Sequence, residues 1–166
     1  FCHLLIENNL NIKWEADCRI DYVSRMSEDF LKLLKKSGLS ALFLGAESGS
    51  PKILKTIQKG ITVEQIIKSA ELTAQFGFNV WYAFMIGFPE ESEEDISLTI
   101  KMMKRVKQIN PRANTAIKVF SPFPGTPLYE KAKKAGFVLP RNLSEWGNYR
   151  PEDVKTPWTK HKFSPY

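Results

Sequence analysis

Two ionisable side chains stand out between Gly45 and Gly60, in the stretch GAESGSPKILKTIQKG. Glu47 follows an apolar run, where a buried strand should be ending, and Lys59 closes the segment that comes after it. Glu47 predicts a carboxylate that accepts hydrogen bonds from the hydroxyls or the amine of a ligand, and Lys59 predicts a clamp for an anion. Simpler alternatives stay open, since Glu47 can accept N–H groups of the following turn and Lys59 can interact with the negative end of its own helix.

The residues after Glu47 and the stretch FMIGFPEES at 84–92 can bring the main chain close to a ligand. Ser48 adjoins Glu47, and Gly49 has no Cβ, which allows a ligand to approach the backbone. Gly87 ends a second apolar run, at a point where a flat ring can lie against bare backbone. The sequence therefore predicts binding contacts after two different strands.

An acidic cluster follows Gly87 and has the composition of a metal site. Its members are Glu90, Glu91, Glu93, Glu94 and Asp95. With no histidine nearby, we interpret these acids as the start of a helix, where carboxylates complement the positive end of the helix dipole. Two cysteines and two distant histidines cannot build a structural metal site either. We assign no metal ligand and no catalytic residue.

The chain has 166 residues, 43% of them hydrophobic, and a formal charge of +6. Its lysines fall mostly in predicted last helical turns, where cations offset the helix dipole, so nucleic acid is not an expected partner. Cys2 and Cys18 lack a disulfide-like spacing, which predicts a reduced, cytoplasmic protein. We find no run long enough to span a membrane and no signal peptide. Because Phe1 reads as the middle of a helix, we expect a fragment of a longer protein.

One unit recurs along the chain: an apolar strand, a polar loop, an amphipathic helix and a glycine. The predicted strands are Ile12–Cys18, Leu39–Gly45, Phe78–Gly87 and Thr115–Phe120. The predicted helices are 1–10, Glu28–Ser37, a short segment between Ser50 and Gly60, Val63–Phe76, Glu93–Ile109 and Leu128–Ala135. Capping residues mark their starts, namely Ser27, Ser92 and the capping-box pair Thr62 and Gln65.

Continuously apolar strands separated by helices predict an α/β protein with a parallel sheet and helices outside it. An open doubly wound sheet and part of a (β/α) barrel both satisfy this pattern. In either fold, function resides in the loops at the carboxyl ends of the strands. Those loops begin here at Arg19, Gly45, Gly87 and Ser121.

Four motifs, taken in order, resemble the radical SAM enzymes. They are WEADCRIDYV, GLSALFLGAESGSPKILKTIQKGIT, FMIGFPEESEEDISLTI and SPFPGTPLYEKAKKAG, and the resemblance runs from Phe1 to about Trp146. It is strongest to the branch whose longer members carry a cobalamin-binding domain ahead of the barrel. The anaerobic magnesium-protoporphyrin IX monomethyl ester oxidative cyclase belongs to that branch.

The resemblance implies a fold and a set of cofactors. The family has a partial (β/α)6 barrel, of which residues 1–146 would supply about four strands with helices on the outside, followed by a tail at 147–166. It binds a 4Fe–4S cluster and S-adenosylmethionine (SAM) at the carboxyl ends of the strands, with cobalamin in an upstream domain in some members. By resemblance, the whole protein is an oxidoreductase or C-transferase that cleaves SAM reductively and abstracts hydrogen from a small-molecule substrate.

The same resemblance assigns roles to residues of this chain. Glu47 stands where the family has a polar residue that contacts SAM, with Ser48 beside it. Lys59 stands where relatives use a basic residue for the SAM carboxylate. Backbone at Ile86 and Gly87 would meet the adenine. A further cofactor-binding candidate is Arg19.

The chain departs from the family in its cysteines, because the CxxxCxxC cluster motif is absent and Cys2 and Cys18 cannot replace it. We therefore expect the C-terminal two-thirds of a barrel, inactive alone. Its expected partners are the missing N-terminal strands. One alternative is a SAM- or nucleoside-binding half-barrel without chemistry. Another is a tRNA-modifying protein like the methylthiotransferases, which share the barrel.

Two further features are structural expectations. Relatives usually read Gly-Leu-Pro-Gly-Glu where this chain has GFPEE at 87–91, so Glu90 takes the place of a glycine in a turn. Without the first two strands of the barrel, Ile12–Cys18 becomes an exposed edge. Its unpaired N–H and C=O groups favour association with a second copy of the chain.

Overall fold

A computed structural model describes residues 1–138 and 140–147 of the chain. Its strands are β1 (Trp14–Cys18), β2 (Leu39–Glu47), β3 (Asn79–Ile86) and β4 (Asn114–Val119). Its helices are α1 (Cys2–Glu7), α2 (Ile20–Val23), α3 (Glu28–Lys36), α4 (Pro51–Thr56), α5 (Val63–Gln75), α6 (Glu93–Ile109), α7 (Pro127–Lys134) and α8 (Leu143–Gly147). Of the tail expected at 147–166, all but Gly147 lies outside the described residues.

The strands form one parallel sheet in the order β1-β2-β3-β4. Each strand lies next to the one that precedes it in the chain, and every connection contains a helix. A doubly wound sheet reverses its strand order at a switch point, whereas the strands of a (β/α) barrel follow one another around it. The continuous order confirms the predicted α/β architecture of a partial barrel.

Helices cover one face of the sheet, and the core lies there. Leu44 on β2 and Tyr82 and Phe84 on β3 are at most 1% exposed, and they pack in one cluster with Ile66 of α5 and Val106 of α6. Burial of each such side chain contributes about 1.5–3 kcal/mol to folding. The apolar strand residues of the sequence therefore form the core where they alternate toward the helices.

The opposite face carries the alternate residues of the same strands and is called the open face below. Asp17 of β1, Phe43 and Gly45 of β2, and Trp81 and Ala83 of β3 share it through the strand register. The Phe43 side chain is 37% exposed and that of Trp81 is 46% exposed. β2 and β3 thus carry apolar residues on both faces, as predicted, but the described residues cover only one of these faces.

β1 begins at Trp14 and not at the predicted Ile12, and Gly38 explains the difference. The Trp14 N–H donates to the Gly38 carbonyl (3.1 Å), whereas the Ile12 N–H turns back to the Leu10 carbonyl (2.8 Å). Gly38 has φ +97°, and a Cβ there would lie 2.0 Å from the carbonyl oxygen of Ile12. The two backbones cross at the glycine, and this crossing keeps residues 12 and 13 out of the sheet.

Side-chain caps fix the starts of the longer helices. Ser27, Thr62 and Ser92 each accept the N–H of the residue three positions further on. Such caps contribute about 1 kcal/mol each, and the predicted helix starts at these three positions are confirmed. α3, α5 and α7 end one residue earlier than predicted because the residue before each glycine is the C-cap; these C-caps are Ser37, Phe76 and Ala135.

Two helices are shorter than predicted. α1 ends at Glu7 with Asn8 as its C-cap, and α4 ends at Thr56 with Ile57 as its C-cap, several residues before Gly60.

Among the residues that the structure describes, no helix has the length and apolarity needed to cross a bilayer.

Replacing Gly38 by alanine should destabilise the fold by more than the same change at Gly125. Both glycines have positive φ, but a Cβ at Gly125 meets nothing within 4 Å, whereas one at Gly38 meets a carbonyl oxygen. We expect Gly125→Ala to cost about 1 kcal/mol of unfolding free energy from φ alone and Gly38→Ala to cost about 1–3 kcal/mol more. Urea unfolding measures both values. Equal losses would show that the backbone crossing is not tight.

Candidate functional site

The predicted site residues lie at the carboxyl edge of the sheet, on neighbouring strands and the segment that follows β2. Arg19 comes directly after β1, Glu47 ends β2, and Ile86 and Gly87 lie at the end of β3. Lys59 follows α4 in the connection back from this edge. The topology therefore gathers loops from successive strands at one edge, which is where parallel α/β folds bind ligands.

Glu47 and Lys59 form a direct ion pair. Lys59 Nζ donates to Glu47 Oε1 at 2.6 Å, and the two side chains are only 25% and 18% exposed. Arg19 Nη2 donates to the backbone carbonyl of Lys59 at 2.9 Å, and Arg19 Nε donates to Asp21 Oδ1 at 2.9 Å. Three of the predicted residues are thus linked in one chain of contacts, from the end of β1 to the end of β2.

A bulge at the end of β2 puts the Glu47 carboxylate in this position. Gly45 pairs with Ala83 of β3, but the next residue of β3, Phe84, pairs with Glu47, so the register shifts by one residue. Glu47 itself has φ +60°. A left-handed conformation at a residue other than glycine costs free energy and is concentrated at functional sites. β2 extends to Glu47, two residues beyond the predicted end at Gly45, because the chain keeps pairing through the bulge.

The ion pair lies over Gly45 on the open face. A Cβ at Gly45 would be 2.6 Å from Glu47 Oε1 and 3.0 Å from Lys59 Nζ. The glycine therefore leaves the space that the two charged groups occupy. The pair also retains binding capacity, because Glu47 has a second carboxylate oxygen and the Lys59 ammonium carries three protons.

Ser48 is fully buried and holds the loop after β2 against α6. Its Oγ is 2.9 Å from Thr99 Oγ1 and accepts the Ser50 N–H at 3.0 Å. The Gly49 N–H donates to Thr99 Oγ1 at 3.1 Å, and a Cβ at Gly49 would lie 2.4 Å from the Leu98 carbonyl oxygen. The predicted role of Gly49 as room for a ligand is wrong, since the glycine admits the backbone of α6.

Asp95 joins the loop after β2 to the loop after β3. It accepts hydrogen bonds from Ser50 Oγ (2.6 Å), Lys52 Nζ (2.7 Å) and the N–H and Oγ of Ser92 (2.9 and 2.7 Å). Burial alone would raise the pKa of Asp95, but the bonds from Lys52, Ser50 and Ser92 outweigh it and hold the pKa well below its usual range. The sequence predicts Asp95 as an acid at a helix start and not as a link between two loops; its spacing of three residues from Ser92 indicates only a helix cap.

The turn at Gly87 keeps the geometry that a glycine at position 90 would favour. Gly87 has φ +82° and Glu90 has φ +69°, so Glu90 adopts the left-handed conformation. Glu91 Oε2 accepts the N–H groups of Gly87 and Phe88 and closes the turn. Glu90 therefore adopts the left-handed conformation that a glycine takes more readily.

The backbone groups predicted to meet a ring are already hydrogen-bonded. The Ile86 carbonyl accepts the Phe120 N–H at 2.7 Å, and the Gly87 N–H donates to Glu91. A ring at this point would therefore lie flat against Gly87, which has no side chain, without displacing either bond. Ile86 itself is 4% exposed, so its contribution is limited to its main chain.

The acids at 90–95 divide into different roles. Glu93, Glu94 and Asp95 occupy the first turn of α6, as predicted. Glu91 is partly buried, and burial raises its pKa to about 7 against the opposing effect of the N–H bonds from Gly87 and Phe88. No group of three or more His, Cys, Asp or Glu side chains within residues 1–138 and 140–147 is placed to hold a metal ion.

Comparison with known proteins identifies a family and several relatives. A family model for the radical SAM superfamily matches residues 4–103. An uncharacterized methyltransferase of Pyrococcus horikoshii is 34% identical over 147 residues, which is 89% of this chain and 30% of that protein. The anaerobic magnesium-protoporphyrin IX monomethyl ester cyclase of Rubrivivax gelatinosus is 30% identical over 132 residues, or 79% of this chain and 23% of that protein. A tRNA-2-methylthio-N(6)-dimethylallyladenosine synthase of Pelagibacter ubique is 31% identical over 105 residues, or 61% of this chain and 23% of that protein.

A solved structure shares the fold. The radical S-adenosylmethionine methyltransferase TsrM from Kitasatospora setae, with cobalamin and a [4Fe-4S] cluster bound, superposes with a TM-score of 0.64 at 18% identity, over 82% of this chain and 28% of that one. The chain thus spans less than a third of the length of each of these proteins.

Neutralising Glu91 should change how stability depends on pH. Because the folded pKa of about 7 lies above the ordinary 4.5, the unfolded chain loses this proton first, and the contribution of Glu91 to stability falls as pH rises from about 4.5 to about 7. Glu91→Gln should remove that fall. The stability of the variant minus that of the wild type should therefore be more favourable at pH 8 than at pH 5. The urea midpoint at several pH values measures this.

The matched control is Glu94→Gln, since Glu94 is exposed in the adjacent helical turn. It should leave the pH dependence of the wild type in place. A Glu91→Gln variant whose midpoint parallels the wild type from pH 5 to pH 8 would contradict a protonated Glu91 in the folded turn.

Proposed function

This chain belongs to the radical SAM superfamily, and we propose that it supplies part of the SAM-binding edge of a radical SAM enzyme. The observation that carries the proposal is the Glu47–Lys59 ion pair, which lies over Gly45 at the carboxyl edge of a parallel sheet. SAM is a zwitterion with an ammonium, a carboxylate, ribose hydroxyls and an adenine ring. An acid and an amine side by side match the first three of these groups.

Each predicted residue has a definite part in this proposal. Glu47 accepts hydrogen bonds from the ribose hydroxyls or the ammonium of SAM, and Lys59 binds its carboxylate. The adenine lies against Ile86 and Gly87. Arg19 acts through Lys59, whose carbonyl it holds.

Ser48 acts through the loop, since its hydroxyl is engaged by Thr99 and by the Ser50 N–H. We therefore propose that Ser48 fixes the backbone beside Glu47 and contacts the cofactor, if at all, through main-chain atoms.

The iron–sulfur cluster implied by the family does not fit the residues of this chain. The sequence has two cysteines, Cys2 and Cys18, and the described residues contain no metal-binding group. Three cysteinyl ligands would have to come from another part of the protein.

For the whole protein we propose a SAM-cleaving oxidoreductase or C-transferase, close to the oxidative cyclases, that acts on a small molecule and carries cobalamin in an upstream domain. The cyclase relative and the cobalamin-bound structural neighbour support this choice. The chain alone should be inactive. We also propose a cytoplasmic location, which the free thiols of Cys2 and Cys18 support.

A SAM- or nucleoside-binding half-barrel without chemistry is the second candidate. It is favoured by the fact that the proposed SAM contacts are all present while the cluster ligands are not. A tRNA-modifying protein is supported by the tRNA-2-methylthio-N(6)-dimethylallyladenosine synthase relative and the charge of +6. Some lysines are engaged within the protein, which argues against a nucleic-acid surface. Lys35 Nζ donates to the Phe76 carbonyl, and Lys107 Nζ donates to the Ala113 carbonyl.

Binding of S-adenosylhomocysteine, measured by calorimetry, tests the proposed site. Loss of a hydrogen bond to a charged group costs about 1.5–3 kcal/mol, so Glu47→Ala and Lys59→Ala should each weaken binding by about tenfold or more. Lys55→Ala and Glu71→Ala, at exposed positions of α4 and α5, are the matched controls and should bind like the wild type. Absence of binding by the wild type, or equal binding by all variants, would refute the site.

We further propose that the free edge of β1 pairs with another strand, either from the missing part of the barrel or from a second copy. Within the described residues β1 has β2 on one side and no strand on the other. Its unpaired backbone groups favour strand addition. Light scattering coupled to size exclusion should show an apparent mass that rises with concentration. A monomer at every concentration tested would contradict self-pairing.

A further inference from the structure

The open face of the sheet carries a row of four side chains, one from each strand. Asp17, Phe43, Trp81 and Asn114 are successive partners in the strand register. All four are exposed. Residues in register on neighbouring parallel strands project from the same face, so an acid, two aromatic rings and an amide follow one another across the sheet.

The two rings form a stacked pair. The ring centroids of Phe43 and Trp81 are 6.3 Å apart and the ring planes differ by 15°. Each ring of a stacked pair turns one face toward its partner, which leaves the outer face of each ring for a further aromatic contact. Their positions on β2 and β3 alternate with fully buried neighbours, such as Leu44 and Tyr82, so the strands hold the rings in place from behind.

A row of small residues separates these rings from the proposed cofactor site. The next row on the open face consists of Gly45, Ala83 and Ala116, again in register. It lies about 7 Å further along the strands, which is the rise of two residues. Because the Glu47–Lys59 pair lies over Gly45, Ala83 and Ala116 are the small residues of this row that border the place proposed for SAM.

Carboxylates flank the rings on the β1 side. Glu15 and Asp17 are exposed on the open face, and the ion pairs of the described residues include neither of them, although the chain has 24 lysines and arginines. Lys118, the basic residue of this face on β4, is three strands across from Asp17 and four residues further along, or about 19 Å away. The nearer basic side chains are already paired, Arg19 with Asp21 and Lys59 with Glu47. An acid beside accessible aromatic faces attracts a cation that also has an apolar body.

We propose that Phe43, Trp81 and Asp17 form the specificity-determining wall of a substrate chamber, and that the substrate is a flat unsaturated ring bearing a protonated amine. The rings stack against that of the substrate, and Asp17 binds the amine. Ala83 and Ala116, beside the Glu47–Lys59 pair, leave the space in which the substrate meets the cofactor. This inference rests on the proposed function, because it takes the edge at Glu47 and Lys59 as the SAM site.

Three probes separate the parts of this proposal. Tryptamine has a ring and an amine, indole-3-propionate has the same ring with a carboxylate, and 2-cyclohexylethylamine has an amine without a π system. The side-chain N–H resonance of Trp81, assigned with Trp81→Phe, reports binding to the intact chain. We expect tryptamine to shift it with about millimolar affinity, as is usual for so small a ligand. Both other probes should bind about fivefold more weakly or worse.

Variants test the residues. Phe43→Ala should weaken tryptamine binding about fivefold, and Asp17→Asn should abolish the preference for tryptamine over indole-3-propionate. Phe30→Ala and Asp29→Asn, which alter an exposed ring and an exposed acid on α3, should leave both affinities unchanged. Equal binding of the three probes, or no shift of the Trp81 resonance by tryptamine, would overturn the inference.

Titration with S-adenosylhomocysteine distinguishes this failure from failure of the proposed function. Lys59-dependent binding of S-adenosylhomocysteine without tryptamine binding would reject the wall and leave the cofactor site standing. Tryptamine binding without S-adenosylhomocysteine binding would reject the cofactor site, and with it the assignment of the wall to a substrate. If Phe43→Ala weakens the binding of S-adenosylhomocysteine and not that of tryptamine, the rings serve the cofactor and the inference is wrong. If the Trp81 resonance responds only to protein concentration, the rings contact a second copy of the chain, and the inference is wrong as well.

Discussion

The ion pair between Glu47 and Lys59 is the interaction on which the interpretation of this structure depends. It requires a left-handed glutamate at the end of a strand, a bulge in the register and a glycine beneath the pair. The backbone strain costs of order 1–3 kcal/mol, and an ion pair that is still partly exposed returns about 1 kcal/mol or less. Stability alone gives no reason for this arrangement, whereas presentation of two opposite charges at the edge of the sheet does.

Hydrogen bonds behind the edge of the sheet fix the two loops that carry the proposed cofactor contacts. Asp95 binds the loop after β2 through Ser50 and Lys52 and caps α6 through Ser92. Lys52 also donates to the Glu90 carbonyl at 3.0 Å, in the turn after β3. Both loops that carry proposed cofactor contacts are therefore supported from behind by one carboxylate at a helix start. Such preorganisation reduces the ordering cost of binding a flexible zwitterion.

Much of this fold was predictable from the sequence because its signals are local. Glycines after helices, serine and threonine caps and apolar strands each act within a few residues, and they placed four strands and the longer helices correctly. The rule that parallel strands deliver their loops to one edge also predicts that Arg19 and Glu47 lie near each other, whereas the place of Lys59 beside them is implied by the family resemblance. What failed depends on contacts between distant segments. The crossing at Gly38, the burial of Ser48 against Thr99 and the approach of α6 to Gly49 join residues 26 to 51 positions apart and leave no local pattern.

A charge exchange tests most directly whether the ion pair exists for binding. The double variant Glu47→Lys, Lys59→Glu keeps an acid and an amine in contact over Gly45 but reverses their order. We predict that it unfolds at nearly the wild-type urea concentration and no longer binds S-adenosylhomocysteine, since the cofactor's carboxylate and hydroxyls would then meet the wrong partners. A variant that folds and binds S-adenosylhomocysteine as tightly as the wild type would contradict the account.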